Sequence, residues 1–279
     1  MLFDSHTHIN NENYTNQERQ ALIQELGSAP ALSYVCDIGF DIPSSEQALR
    51  DAADAPWCYA AVGVHPHDAK TLDEAGLARI RQLSREPKAV AIGEIGLDDH
   101  YDFSPRDAQR TWFRRQIQLA IEEKLPMVIH SREADQETLD ILTEEGAFSQ
   151  ARTACFAPRQ APAGGQAGSA ADARVVIHCF SGSAELAKQY VNLGATIGIC
   201  GPVTFKNNKK TVRVVEAVPL DYLLIETDAP YLTPEPYRGR PNKASYVEYV
   251  ARRIGEIKGI SYEEVADATC QNACRFYGI

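Results

Sequence analysis

The feature that most constrains this chain is a recurring pairing, in which a short apolar run ends on a histidine or an acid. His6 and His8 follow Leu2–Asp4, Glu94 follows Ala89–Ile92 and His130 follows Met127–Ile129. His178 follows Val175–Ile177, and Asp228 follows Tyr222–Ile225. Three further runs, Ser33–Asp37, Cys58–Val62 and Ala195–Ile199, have the same strand-like character. Helical patterns such as Arg106–Lys124 and Ala184–Leu193 separate most of them. Eight strand–helix units predict an α/β fold with a parallel sheet. Periodicity alone suits either a (β/α)8 TIM barrel or an open doubly wound sheet. The polar positions favour the barrel, because a barrel gathers the C-terminal ends of its strands into one mouth. With 279 residues, the expectation is one domain over residues 1–279.

The residue types at those ends suit a metal centre. Imidazole binds zinc and other first-row ions, and carboxylates bind these and magnesium. A lone strand-end histidine is ordinarily a hydrogen-bonded core residue. Four of them with two acids, all at strand ends, are read here as a metal site. His6 and His8 are two apart in an extended chain and project from one side, so both can ligate one ion. Asp4 shares their parity and is expected to orient a ligand histidine from behind. Glu94 has two oxygens and can bridge two ions, with His130 and His178 completing the second. Asp228 is expected to ligate the first ion and hold a water. The expected cofactor is therefore a pair of divalent ions, with zinc, magnesium and manganese all fitting the donors. His67 and His100 read as surface residues.

Composition limits what such a site can serve. The net charge of −10 excludes coating by nucleic acid through bulk attraction, but it permits a local basic mouth. Two stretches supply one: Lys206, Lys209, Lys210 and Arg213, then Arg238, Arg240 and Lys243. Seven cysteines at irregular spacings, with no CxxC pair, point to reduced thiols in the cytoplasm. Cys270 and Cys274 read as core residues of a helix. The start, MLFDSHTHIN, shows neither a basic region nor an apolar run, and no stretch reaches membrane-spanning length. Residues 151–173, rich in Ala, Gly, Gln and Pro, carry few large apolar groups and are expected to form a flexible insertion.

The segments DSHTHIN, GVHPHDA, GEIGLD, VIHSREA, HCFSG, ETDAP and NKASY…QNACRFY resemble, in order and spacing, the TatD family of metal-dependent deoxyribonucleases. That family lies within the amidohydrolase-like barrels, and the resemblance covers nearly the whole chain. It implies a (β/α) barrel, a divalent-metal site on His6, His8, Glu94, His130, His178 and Asp228, and exonucleolytic cleavage of DNA. It also assigns His65 to substrate phosphate. Three departures bear on specificity. Asp99 stands where Tyr is common, Lys243 and Ala244 follow Asn242 where Pro is common two residues on, and 151–173 looks inserted.

The mechanism expected is hydrolysis by a metal-activated water, with Asp228 and Glu94 as the catalytic carboxylates. His65, Arg132, Lys206, Arg238 and Arg240 are expected to contact DNA, the anticipated partner. No obligate protein partner is evident. Three alternatives remain open: a phosphotriesterase- or lactonase-like barrel, an aminoacyl-tRNA ester deacylase, and a metal-stabilised binding module. The first commonly bridges its metals with a carboxylated lysine ending strand four, where this chain has Glu94.

Overall fold

The computed structural model describes residues 1–53, 55–159 and 168–279. Eight strands follow one another around a sheet in sequence order: β1 Leu2–Thr7, β2 Leu32–Ile38, β3 Cys58–Val62, β4 Ala89–Asp98, β5 Met127–Arg132, β6 Val175–Ile177, β7 Thr196–Ile199 and β8 Leu223–Ile225. Every neighbouring pair is parallel. A parallel bridge between Thr7 and Ala229 brings the first strand back to the segment after the last, so the sheet closes on itself. The fold is thus the expected (β/α)8 barrel.

The helices are α1 Asn16–Gly27, α2 Ile42–Ala53, α3 Glu74–Leu83, α4 Arg106–Glu122, α5 Asp135–Glu144, α6 Gln150–Thr153, α7 Ala184–Asn192, α8 Lys209–Ala217, α9 Val247–Lys258 and α10 Tyr262–Tyr277. Short polar side chains start many of them by accepting free backbone N–H groups. Thr15 and Glu18 form a reciprocal capping box at α1, and Asp73, Ser183 and Ser261 cap α3, α7 and α10. Glycines in the left-handed conformation end α9 and α10. No helix among the described residues is long and apolar enough to cross a membrane.

Two faces of the strands are buried differently. A large apolar cluster fills the layer between sheet and helices, including Ile92, Ile95, Ile129 and Ile197. A second cluster joins Phe3, Cys36, Ala61, Val128, Val176 and Leu224 to Cys270, Phe276 and Tyr277 of α10. The Tyr277 hydroxyl donates to Ser5 O at 2.7 Å. Helix α10 therefore packs beneath the strands and leaves their C-terminal ends as the open mouth. Cys270 and Cys274 pack here, as expected.

Strands β1, β4 and β5 run further than their apolar cores suggest. His6, Glu94 and His130 lie inside them, not after them as the sequence implied. Parallel pairing continues through the polar residues, with Ile95–Asp98 registered against Ile129–Arg132. Gly96 permits this: its φ is 152°, and a Cβ there would overlap His130 O.

The described flanks of the expected insertion, 151–159 and 168–173, are packed; residues 160–167 lie outside the described residues. Arg152 is buried and donates to Ala120 O at 3.2 Å and Leu125 O at 2.7 Å. Arg159 is buried against the Tyr222 ring, 4.5 Å away, and donates to Asp221 O, Gly194 O and Thr196 Oγ1. Asp172, wholly buried, faces Arg159, Arg174 and Arg275. A composition low in large apolar groups conceals anchoring by ionic and polar contacts. Asp172→Ala is expected to cost about 3–5 kcal/mol, because it strands buried guanidinium charge. Thermal or denaturant unfolding checks this, and an unchanged midpoint would return the flanks to the status of a loose loop.

A second prediction concerns β2. Asp37 is fully buried, with only Asn10 N donating to Oδ1 and no partner on Oδ2. Burial first, then the Asp51 carboxylate, push its carboxyl from the ordinary 3.8 up to about 8. The folded state thus holds a proton that the unfolded chain releases near pH 4. That contribution is complete below the unfolded value and is lost as pH rises through about 8. Asp37→Asn is expected to raise the melting temperature at pH 8–9, with the gain shrinking towards pH 4. A gain independent of pH would contradict this.

Candidate metal centre

The cage is assembled on the seam that closes the barrel. Asp228 N–H donates to His6 O at 2.9 Å, and His8 N–H donates to Ala229 O at 2.8 Å. Asp4 reinforces the seam by accepting from Thr227 N at 2.8 Å and Thr227 Oγ1 at 2.5 Å. It reaches the main-chain N–H of His6 at 3.4 Å, not a ring nitrogen, so it acts on the histidine through the backbone. Asn242 pins the following loop by donating to Thr227 O and Tyr231 O.

All six sequence-nominated cage residues converge. His6 Nε2 lies 3.3 Å from His8 Nε2, 3.5 Å from Glu94 Oε2 and 3.7 Å from Asp228 Oδ1. His8 Nε2 lies 3.3 Å from Asp228 Oδ1. His178 Nε2 is 3.8 Å from both Glu94 Oε1 and Asp228 Oδ1, and His130 Nδ1 is 2.8 Å from Glu94 Oε1. Donors held about 2.0–2.2 Å from one tetrahedral ion stand roughly 3.3–3.5 Å apart. The spacings around His6, His8, Glu94 and Asp228 therefore fit an ion. Three sets have donor atoms mutually within 4.8 Å: His6–His8–Asp228, His65–Glu94–His130 and His6–His178–Glu226.

A neutral imidazole has one donor and one acceptor nitrogen, so outer contacts determine which lone pair faces inward. His8 Nδ1 lies 2.8 Å from Ile38 O and must donate, which frees Nε2. His130 Nε2 lies 3.1 Å from Asp98 Oδ2, which leaves Nδ1 turned to Glu94 inside the cage. His178 Nδ1 stands 3.1 Å from Glu226 Oε1, close but without hydrogen-bond alignment, and turns Nε2 into the cage. His65 is the opposite case. Its Nδ1 accepts from His67 N at 3.1 Å, so its Nε2 carries hydrogen towards Glu94, 3.7 Å away. That atom is a donor for an anion. The polarity suits the expected phosphate contact and opposes metal ligation, despite the proximity of His65 to Glu94 and His130.

The carboxylates and imidazoles hold one another charged. Burial works against every ion here and is the largest influence on each. It is outweighed at Glu94, where His178, His65 and His130 keep the carboxyl well below its ordinary range. Asp228 is lowered by His8 and His178 against the same penalty. Against burial, Glu226 and Glu94 hold His178 well above the ordinary histidine range, Asp98 and Glu94 raise His130, and Asp228 raises His8. Burial and neighbouring imidazoles lower His6 and His65.

Two acids that contact cage histidines were not nominated from sequence. Glu226 accepts from Cys179 N, lies behind His178 and is packed so closely that a Cβ on Gly198 would strike it. Asp98 joins His130 to His67, whose Nε2 is 2.8 Å away, so His67 belongs to the site wall and not to the general surface. The signal for Asp98 was parity, since residues 94, 96 and 98 share a face once β4 continues. Glu226 sits two residues before Asp228 in the quoted ETDAP.

The expected substrate contacts lie on the rim. Arg132 is exposed, with its guanidinium 4.7 Å from the Tyr101 ring centroid. Lys206, Arg238 and Arg240 are exposed, and Arg238 covers Phe205, the neighbour of Lys206, at 4.1 Å. Glu235 N donates to Thr204 Oγ1, which ties the loop after β8 to the loop after β7 and draws both basic stretches together. Lys243 instead pairs with Glu25 at 2.8 Å. His100 is partly exposed and pairs with Glu133.

A closed eight-stranded barrel with a histidine–carboxylate cage at the C-terminal ends of its strands has the construction of a metal-dependent barrel hydrolase. The profile of the TatD related DNase family matches residues 3–278, and the chain belongs to that family. It is 42% identical to a Bacillus subtilis protein named uncharacterized metal-dependent hydrolase YabD, over 100% of both chains. It is 32% identical to the 3'-5' ssDNA/RNA exonuclease TatD of Klebsiella pneumoniae, over 86% of this chain and 85% of that one. The crystal structure of YjjV, a TatD homologue from Escherichia coli, superposes with a TM-score of 0.83 at 26% identity, covering 100% of this chain and 98% of that one.

Loading the cage is expected to expel protons, because a metal needs the lone pairs that raised His8, His130 and His178 share with hydrogen. Apparent zinc affinity should therefore climb as pH rises from about 6 to 8. Titration calorimetry in buffers of differing ionisation enthalpy reads the released protons. Heats that ignore the buffer would mean that the cage is already deprotonated.

Proposed function

We propose that this protein is a two-metal phosphodiesterase that cuts DNA, exonucleolytically and in the cytoplasm. The observation that carries the reading is the convergence of four histidines and two ionised carboxylates at the mouth, with Ile38 O, Asp98 and Glu226 against the outer nitrogens of His8, His130 and His178. In this reading His6, His8 and Asp228 would hold one divalent ion, His130 and His178 would hold a second, and Glu94 would serve both. Zinc, magnesium and manganese all suit the donors. Bound there, such ions supply a water acidic enough to attack at neutral pH and charge to offset that of phosphate.

The chain's own groups do the rest. Asp228, whose side chain is 15% exposed, would orient the attacking water and take its proton. Its lowered pKa keeps it ionised for that role. His65 Nε2–H donates to a non-bridging phosphate oxygen. Asp98 and Glu226 fix the rings of His130 and His178. Lys206, Arg238, Arg240 and Arg132 meet the strand's remaining phosphates at the rim. A cytoplasmic setting is supported by the scattered thiols without a CxxC pair.

The lactonase-like alternative lacks its lysine. Lys88 sits at the start of β4 and donates to Ala55 O, Pro56 O and Cys58 O, remote from the mouth. Deacylation of charged tRNA would use the same cage and is separated by comparing turnover on the two substrates.

Metal-reconstituted protein is expected to hold two ions per chain by elemental analysis; a saturated value near one would sink the binuclear reading. It should cleave DNA, assayed beside duplex and RNA. Asp228→Asn should lose about 10²–10⁴-fold in turnover with a smaller change in DNA affinity. Neutralising Lys206, Arg238 or Arg240 should weaken binding and flatten its salt dependence by up to about one slope unit per contact. Metal-loaded protein that hydrolyses lactones but no nucleic acid would replace this reading with the alternative.

A further inference from the structure

The large aromatic side chains that the fold leaves exposed are confined to the mouth. Among the described residues, the exposed large hydrophobic side chains are Tyr101, Phe103 and Tyr231, with Met1 and Ile279 at the ends of the chain. Tyr231 faces His8 at 6.3 Å between ring centroids. Tyr101 and Phe103 lie 5.6 Å and 4.9 Å from His67, which shares Asp98 with His130. Water-exposed aromatic area is unfavourable, yet here it stands beside the cage.

The loop that carries Tyr101 and Phe103 is held firmly. Asp98 Oδ1 accepts from His100 N at 3.0 Å and Tyr101 N at 2.9 Å. Gln109 donates to Asp98 O and Ser104 O, Ser104 Oγ donates to His67 O, and Lys70 Nζ donates to Phe103 O. So anchored, the two rings stack on each other, 5.1 Å between centroids and 8° from parallel. Phe103 remains 55% exposed, although a loop this constrained could have turned it inward. Arg132 beside Tyr101 adds a cation at the edge of the stack.

A flat, prealigned π surface flanked by a cation fits an unpaired nucleobase, with its phosphate directed towards the cage. We propose that Tyr101 and Phe103 form a stacking platform for one base of the strand entering the site. The proposal takes its ligand class from the nuclease reading and adds the feature that grips the base. Bases in a duplex have their faces covered by neighbours, so the platform engages unpaired nucleotides. Stacking tolerates any base, since each has a π face.

The test compares two fluorescein-labelled phosphorothioate octamers, one of thymidine and one of abasic residues, binding to metal-loaded protein by anisotropy. The wild type should favour the thymidine octamer, and Phe103→Ala and Tyr101→Ala should each lose roughly 5- to 150-fold of that preference. Binding of the abasic octamer should hold steady, and Phe103→Trp should retain the preference. Melting temperature and metal content verify that the variants are folded and loaded. Equal binding of both octamers by the wild type overturns the platform, as does equal weakening of both by the alanine variants or binding of neither. Turnover of ordinary octamers by the wild type is read separately. Cleavage without base preference removes the platform and keeps the nuclease; base preference without cleavage does the reverse.

Discussion

Two backbone hydrogen bonds, Asp228 N–H to His6 O and His8 N–H to Ala229 O, hold the structure's most consequential joint. They close the barrel, and they fix three cage residues against one another. A slip along this seam would separate His6 and His8 from Asp228 while leaving each strand otherwise intact. Asp4 guards against such a slip with bonds to both the amide and the hydroxyl of Thr227. Barrel closure and site geometry are thus one constraint, and the buried acid at the base of β1 serves both.

Around that joint, charge is balanced by arrangement. Buried carboxylates and imidazoles would each be costly alone. Together they offset one another, and outer partners set which ring nitrogen faces inward. Ile38 O, Asp98 and Glu226 turn His8, His130 and His178 towards the cage, whereas the His67 amide turns His65 into a donor. Four histidines that look alike in the sequence thereby divide into two chemical roles.

The barrel and the cage positions were legible because polar residues ending apolar strands are conspicuous, and only a closed parallel sheet brings six such ends together. What escaped the sequence depended on contacts. Asp98 and Glu226 stand close to acids already nominated, and their separate work appears once β4 is seen to continue and His178 is seen in three dimensions. His67 read as a surface residue because its partner lies 31 positions away. At the flanks of 151–173, Arg152, Arg159 and Asp172 anchor by charge and hydrogen bonds, which hydrophobic patterning does not register.

Helix α10 follows every strand in the chain, yet Tyr277 grips Ser5, the residue before His6. During synthesis, β1 is made before its partners at the seam and at the floor, which lie more than two hundred residues downstream. A chain interrupted just after Asp228 has all its cage residues but lacks the helix that supports β1 from below. The support beneath β1 is therefore completed only when the last helix has been made, well after the cage residues are in the chain.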